Sequence, residues 1–151
     1  MHALPDPPGL IGRAHLAPPP LARPKLGYRI TCGFPSPAED FMGEELDLNK
    51  RCIGNPVATF YVEADTGTSM VEFGIFPGDT LIVDRSIAPK DGDVVMVLWD
   101  GGYMCKQLRI RGRRFELSSG HPDHPPILVP PEMELDVWGV ITWSFRKQSR
   151  R

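Results

Sequence analysis

Residues 93–110, DVVMVLWDGGYMCKQLRI, decide the fold class of this chain. The first half, Asp93 to Trp99, is almost continuously apolar, which is typical of a strand buried on both faces. Asp100-Gly101-Gly102 has the composition of a tight hairpin turn. Tyr103 to Ile110 then returns as a second strand. The stretch therefore predicts an antiparallel hairpin at the centre of a β-domain.

The second strand of this hairpin carries a lysine on its apolar face. Alternate residues of a strand share a face, so Lys106 lies between Met104 and Leu108. Burying an ammonium group is costly, and its pKa falls in response. One interpretation is a structural lysine that reaches the rim of the sheet or pairs with a carboxylate. The other is a general base that accepts a proton near neutral pH, and the pattern alone leaves both open.

A serine on a bend is the second candidate for chemistry. Ser69 lies in the stretch Ala64 to Met70, ADTGTSM, which is rich in small and turn-forming residues. Most serines in turns only cap or fold the chain. A serine beside a desolvated lysine, however, is an established nucleophile–base pair. Ser69 and Lys106 are therefore the candidate catalytic residues.

The rest of the chain indicates a mainly β fold with one or two short helices. Ser36 to Glu39 forms a capping box with proline at the first helical position, which predicts a helix over 37–46. Asp47 is expected to cap a second short turn. Short β-branched and aromatic runs joined by glycine-containing turns predict a compact barrel or sandwich. Besides the hairpin, the expected strands are 57–62, 80–84, 115–118, 128–129 and 135–145.

Proline content divides the chain into segments. Seven of the 17 prolines fall within residues 1–31, where they disfavour helix and remove ladder donors. We therefore expect an irregular, flexible arm over 1–32 and an extended or helical arm over 33–56. The β-domain is expected over 57–146, and a loose basic tail over 147–151.

Composition excludes several classes of function. The length of 151 residues fits a single domain. Residues 33–151 hold 13 basic and 18 acidic side chains, which argues against a body built to bind nucleic acid. Cys32, Cys52 and Cys105 lack metal-ligand spacing and favour a reduced, cytoplasmic setting. The sequence has no apolar run long enough for a membrane span and no signal-peptide pattern.

Ordered motifs then identify a family resemblance. Over about residues 28–146 the chain resembles the LexA/UmuD family of self-cleaving serine–lysine peptidases, whose fold is a compact β-domain. A single G-x-S-M motif would be weak, but the serine and the lysine each stand in their own motif and the order is right. The motifs are CGFPSPA at 32–38, GTSM at 67–70, GDTLIVD at 78–84, GDVV at 92–95, CKQL at 105–108 and LDVWGVI at 135–141.

The resemblance implies a role for each candidate residue. Ser69 is the nucleophile and Lys106 the general base, and the scissile peptide joins Cys32 to Gly33 of the chain itself. The backbone N–H groups of Thr68 and Ser69 are the candidate donors to the oxyanion. No cofactor and no metal are expected.

The resemblance also implies a biological role. Residues 1–32 would be removed by self-cleavage, stimulated by a RecA filament on single-stranded DNA. The trimmed homodimer would join a UmuC-type Y-family polymerase to make an error-prone translesion polymerase of the SOS response. No sequence-specific DNA binding is expected. The alternatives are a LexA-like self-cleaving regulator and a catalytically silent binding module of the same fold.

Overall fold

An eight-stranded antiparallel sheet forms the body of the protein in a computed structural model, which describes residues 3–26, 32, 42–65 and 67–151. The helix α1 spans Leu48–Cys52, and 3-10 turns span Pro56–Ala58 and Val71–Phe73. The strands are β1 Leu10–Arg13, β2 Arg23–Leu26, β3 Met42–Leu46, β4 Thr59–Glu63, β5 Thr80–Asp84, β6 Val94–Trp99, β7 Gly102–Arg111, β8 Arg114–Ser118, β9 Ile127–Leu128 and β10 Asp136–Phe145.

The large sheet has the order β1-β4-β5-β10-β6-β7-β8-β9, and β2 pairs with β3 in a separate two-stranded sheet. The predicted mainly β fold is therefore confirmed. The last strand, β10, lies between β5 and β6, so it joins the two halves of the sheet. No helix in the described ranges has the length and apolar character needed to cross a membrane.

The predicted central hairpin is confirmed as β6 and β7, with Trp99 opposite Gly102 at the turn. Val95 and Val97 are fully buried, and Met96 between them is 3% exposed. Because neighbouring residues of a strand face opposite ways, β6 is covered on both faces, as its unbroken apolar sequence predicts.

Two apolar clusters take alternate residues of β6. The Trp138 cluster consists of Phe60, Val62, Met70, Ile75, Leu81, Val83, Met96 and Trp138. The Leu117 cluster consists of Val95, Val97, Leu108, Leu117, Val129 and Val140. The sheet is thus packed on both sides, and the first cluster extends into the segment between β4 and β5 through Met70 and Ile75.

The expectation of an irregular arm is wrong for two parts of residues 1–32. β1 pairs with β4, and β2 pairs with β3. Main-chain pairing to an available strand edge needs no apolar periodicity, so no local pattern in residues 1–32 predicts it. The proline within β2 lies in a two-stranded sheet, where a missing ladder donor is tolerated.

The helix predicted over 37–46 is wrong at its C-terminal half, because Met42–Leu46 forms β3. The capping box Ser36 to Glu39 lies outside the described residues. The predicted cap at Asp47 is confirmed: its Oδ1 accepts hydrogen bonds from the N–H groups of Asn49 at 2.9 Å and Lys50 at 3.4 Å. These bonds satisfy donors of the first turn of α1 that have no partner within the helix.

Candidate active site

Ser69 lies in the connection from β4 to β5, on a turn just before the 3-10 turn Val71–Phe73. The turn is closed by the N–H of Val71, which donates to the carbonyl of Thr68 at 3.3 Å. The next residue, Met70, is 4% exposed and belongs to the Trp138 cluster. Burial of Met70 therefore anchors the turn, while Ser69 remains half-buried and within reach of solvent.

The two ends of this connection are clamped together. The N–H of Ala64 donates to the carbonyl of Asp79 at 2.8 Å, and the N–H of Gly78 donates to the carbonyl of Ala64 at 2.9 Å. The Asp79 carboxylate also accepts from the N–H of Phe76 at 2.9 Å. The segment that carries Ser69 is thus held together at its two ends and is also fixed by the burial of Met70.

Arg146, which follows β10, binds Asp79 at the joined ends of this segment. Its Nε and Nη2 donate to the two carboxylate oxygens of Asp79 at 2.7 and 2.8 Å. Asp79 is 1% exposed, and the guanidinium lies 3.6 Å from the centroid of the Phe76 ring. These hydrogen bonds are the main reason that the pKa of Asp79 is lowered. Sequence analysis missed this pair, because the two residues are 67 positions apart.

Lys106 approaches Ser69 from β7. It is opposite Val95 in the ladder, and Leu108 of the same strand belongs to the Leu117 cluster. The predicted position on an apolar face is therefore confirmed. The Nζ of Lys106 donates a hydrogen bond to the Oγ of Ser69 at 3.2 Å. The structure thus brings together two side chains that the sequence separates by 37 residues.

Burial lowers the pKa of Lys106. The neighbouring Cys105 thiol would oppose this shift only as a thiolate, and desolvation raises its pKa to about 11. Near neutral pH, Cys105 is therefore an uncharged thiol and does little to keep the ammonium form of Lys106. Within the described residues, no carboxylate forms an ion pair with Lys106. The alternative of a carboxylate-paired structural lysine is not supported there.

This arrangement can activate a hydroxyl. A lysine with a lowered pKa is neutral more often than an ordinary lysine, and its lone pair can accept the serine proton. The observed separation is close to the range in which a base acts directly on its nucleophile. The pair therefore has the geometry and the direction of pKa shift that a serine–lysine nucleophile requires.

The turn also offers backbone donors beside the hydroxyl. Thr68 is exposed and Ser69 half-buried, and in the described part of the chain their N–H groups donate to no protein acceptor. Free N–H groups next to a nucleophile are the usual components of an oxyanion hole.

The residues that follow β8 also contact the segment that carries Ser69. A Cβ added to Gly120 would lie 3.0 Å from the Phe73 ring and 3.3 Å from the Cβ of Glu72. Gly120 also has a φ of +71°, which side-chain-bearing residues rarely adopt. The 3-10 turn after Ser69 therefore packs directly against the segment that follows β8, a contact that sequence analysis did not predict.

The expected scissile bond is only partly within the described residues. Cys32 is described and exposed, and Gly33 lies outside the described ranges. The candidate pair at Ser69 and Lys106 is therefore assembled, while the Cys32–Gly33 peptide stays a prediction from the family resemblance.

Residues 24–142 match the family model of Peptidase S24-like proteins. The chain therefore belongs to the peptidase S24-like family. Protein SamA of Salmonella typhimurium is 42% identical over 124 residues, which cover 82% of this chain and 85% of that protein. Protein MucA of Escherichia coli is 36% identical over 118 residues, covering 78% of this chain and 80% of that protein.

LexA repressor 2 of Pseudomonas syringae pv. tomato is 30% identical over 130 residues, which cover 83% of this chain and 60% of that repressor. The predicted resemblance to the LexA/UmuD family is confirmed by these matches and by the mainly β fold. The chain is accordingly similar to UmuD-like proteins, and it is an SOS-related member of a family of self-cleaving peptidases.

Proposed function

We propose that this protein is a self-cleaving accessory subunit of an error-prone translesion polymerase. The observation that carries the proposal is the hydrogen bond from Lys106 Nζ to Ser69 Oγ at 3.2 Å, made by a lysine whose pKa is lowered by burial. A silent binding module would have no need of a desolvated lysine against a serine hydroxyl. The alternative of a catalytically inactive fold is therefore less well supported.

The proposed chemistry begins with attack on the Cys32 carbonyl carbon. Neutral Lys106 accepts the hydroxyl proton while Ser69 Oγ forms the new C–O bond, and the N–H groups of Thr68 and Ser69 donate to the oxyanion. The C–N bond to Gly33 then breaks, and the Lys106 ammonium donates its proton to the leaving amine. Water attacks the ester with Lys106 again as the base, which restores Ser69 and leaves Cys32 with a free carboxylate.

Self-cleavage should accelerate with rising pH. Only neutral Lys106 can accept the serine proton, and its lowered pKa means that the rate should level off at a pH below the ordinary lysine value of 10.5. Full-length protein held at a series of pH values should yield a fragment that begins at Gly33, quantified by intact-mass spectrometry. A different fragment boundary, or a rate independent of pH while the fold persists, contradicts the proposal.

The proposed partners follow from the family. Cleavage is expected to be stimulated by a RecA filament on single-stranded DNA with ATP, and the product to join a UmuC-type polymerase in the cytoplasm.

The family also contains the repressor reported above. Residues 3–26 of this chain hold β1 and β2 and no helix within that range. The accessory subunit is favoured over a LexA-like regulator because the chain is 42% identical to SamA and covers 85% of it, against 30% identity to the repressor and 60% of its length.

We also propose that the chain forms a homodimer through an apolar patch at the end of β10. Trp143 and Phe145 stack at 6.4 Å between ring centroids and are 37% and 40% exposed. A cavity of about 180 Å³ is lined in part by Phe145, Leu48 and Ile82. A second copy is the proposed occupant because the family implies a dimer, and a two-fold pair would bury the same patch twice.

Changing Trp143 to Glu should weaken this dimer. A carboxylate in the middle of an apolar interface loses hydration and the apolar contact of the ring, and the expected effect is at least about a tenfold higher dissociation constant. Sedimentation equilibrium measures it, and the exposed Met133→Glu is the matched control. Equal dissociation constants for wild type and Trp143→Glu would place the interface elsewhere.

A further inference from the structure

Residues 3–14 lie along the edge of β4 that is opposite to β5. Leu10 is opposite Val62, and Arg13 is opposite Phe60. The contact extends beyond β1 at both ends: the N–H of Glu63 donates to the carbonyl of Gly9 at 2.9 Å, and the N–H of Ala14 donates to the carbonyl of Thr59 at 3.0 Å. The segment is therefore bound by main-chain pairing along the whole length of β4.

Side chains add a second set of contacts. Leu4 and Leu10 pack against the Trp138 cluster, and Pro7 is buried. The Tyr103 hydroxyl donates a hydrogen bond to the carbonyl of Pro5. The segment therefore covers part of the core as well as the edge of the sheet.

Two further features give the edge of β4 a sequence preference. The Arg13 guanidinium lies 5.0 Å from the centroid of the Phe60 ring, within the range of a cation–π contact. A Cβ added to Gly9 would lie 2.9 Å from the carbonyl oxygen of Glu63, which cannot move without breaking the strand. Glycine at this position allows the close approach of the two backbones.

This segment lies outside the part of the chain that matches the family. The family model covers residues 24–142, and residues 3–14 precede that range. The cover on β4 is therefore a feature of this chain that its membership of the family does not explain.

We propose that the edge of β4, together with the part of the Trp138 cluster that Leu4 and Leu10 contact, is a binding groove for an extended peptide. Residues 3–14 are its ligand within the chain, recognised by main-chain pairing, two leucines, a close-approach glycine and a cation over Phe60. This mode of binding is the addition of a strand to a sheet edge.

Binding in this groove should keep residues 1–32 in place after self-cleavage, a step that rests on the proposed function. Hydrolysis between Cys32 and Gly33 breaks the covalent link but none of the contacts of residues 3–14. The fragment is also held by pairing of β2 with β3 and by the N–H of Leu21, which donates to the Asp47 carboxylate at 3.1 Å. The cut fragment 1–32 therefore stays bound, and exposure of the groove is a step separate from cleavage.

Gel filtration and native mass spectrometry of the self-cleaved full-length protein test this. The fragment 1–32 is expected to migrate with residues 33–151 in the wild type. Gly9→Val should raise the rate of fragment dissociation by about tenfold or more, since the valine side chain collides with the backbone of β4. Leu16→Ala is the matched control, because Leu16 is 69% exposed and outside the paired stretch. Immediate loss of the wild-type fragment, or equal dissociation in Gly9→Val, overturns the proposal.

A second format makes the test independent of self-cleavage. The full-length Ser69→Ala variant receives a recognition sequence for a site-specific protease after Pro19, an exposed residue between β1 and β2. After the cut, the N-terminal piece should remain bound without a covalent link. It should also exchange with an added fluorescent peptide of residues 3–14. Retention here without any self-cleavage of the wild type would leave the groove intact and refute the proposed function. Loss of the piece together with no peptide binding would refute the groove.

Discussion

Ser69→Ala is expected to abolish the fragment that begins at Gly33, and Lys106→Met to reduce its rate of formation by about 10²–10⁴-fold, the usual contribution of a general base. The alanine variant has no oxygen to form the ester. The methionine variant keeps the hydroxyl but loses the amine that can take its proton, because Lys106 Nζ is the hydrogen-bond partner of Ser69 Oγ. Intact-mass spectrometry over several days at alkaline pH measures both.

Stability separates this catalytic interpretation from a structural one. Lys106 shares the face of β7 that packs on the Leu117 cluster, and burial opposes its charged form. Methionine fills similar space without desolvating a charge. Lys106→Met should therefore unfold at the wild-type temperature or above it while self-cleavage is lost. A large fall in unfolding temperature would instead indicate that Lys106 serves the fold.

Two further variants are matched to this prediction. Lys106→Arg keeps a cation at the position but cannot become neutral, so it should also fail to cleave at any pH at which the protein is folded. Lys90→Met removes an exposed lysine outside the candidate pair and should cleave at the wild-type rate. Wild-type cleavage by Lys106→Met would show that another group is the base.

Local patterns in the sequence were sufficient for the hairpin and for the candidate base. Strand alternation placed Lys106 on an apolar face because β7 is regular along its pairing with β6 and β8. The unbroken apolar run of β6 correctly indicated burial on both faces. Periodicity of this kind depends only on neighbours in the chain, so a single sequence contains it.

Contacts between distant segments could not be read in the same way. The position of β10 between β5 and β6 depends on pairing across the whole domain. Residues 3–14 bind mainly through the backbone, which has no signature in the sequence. Prolines indicated an irregular arm, yet β1 itself contains none and pairs with β4, with one shift of register between Leu10 and Gly12.

The pair of Asp79 and Arg146 was not predicted from the sequence, for a related reason. The sequence marked Gly78-Asp79 only as part of a motif, and it placed Arg146 next to a basic tail. A buried carboxylate needs a neighbouring cation, but no local sequence pattern indicates which basic residue of the chain provides it. The structure selects Arg146 because β10 ends beside the turn before β5.

Arg146→Met should lower the unfolding temperature by about 5–10 °C at neutral pH, since it leaves a buried carboxylate without its cation. Asp79 is 1% exposed and accepts both donors of the guanidinium fork. Methionine retains part of the packing on Phe76 but supplies no donor. Differential scanning calorimetry measures the effect, and Lys147→Met, which removes the next basic side chain, is the matched control.

Acid should reduce the difference between this variant and the wild type. The folded-state pKa of Asp79 lies below the ordinary value of 3.8, so its contribution to stability is complete above that value and is lost as pH falls through the folded pKa. Without Arg146, the buried carboxyl takes up a proton at higher pH and then needs no cation. The gap in unfolding temperature should therefore narrow as the pH falls towards 3.8 and then through the folded-state pKa of Asp79.

The same variant should slow self-cleavage even where it remains folded. Asp79 closes the base of the segment that carries Ser69, through its own carbonyl and through the Phe76 N–H. If the ends of this segment are no longer held together, Ser69 Oγ can leave its position 3.2 Å from Lys106 Nζ. Small displacements of a nucleophile reduce rates steeply. Arg146→Lys, which keeps the charge but not the fork, should fall between Arg146→Met and the wild type in both assays. A variant Arg146→Met that cleaves at the wild-type rate would limit the Asp79–Arg146 pair to a role in stability.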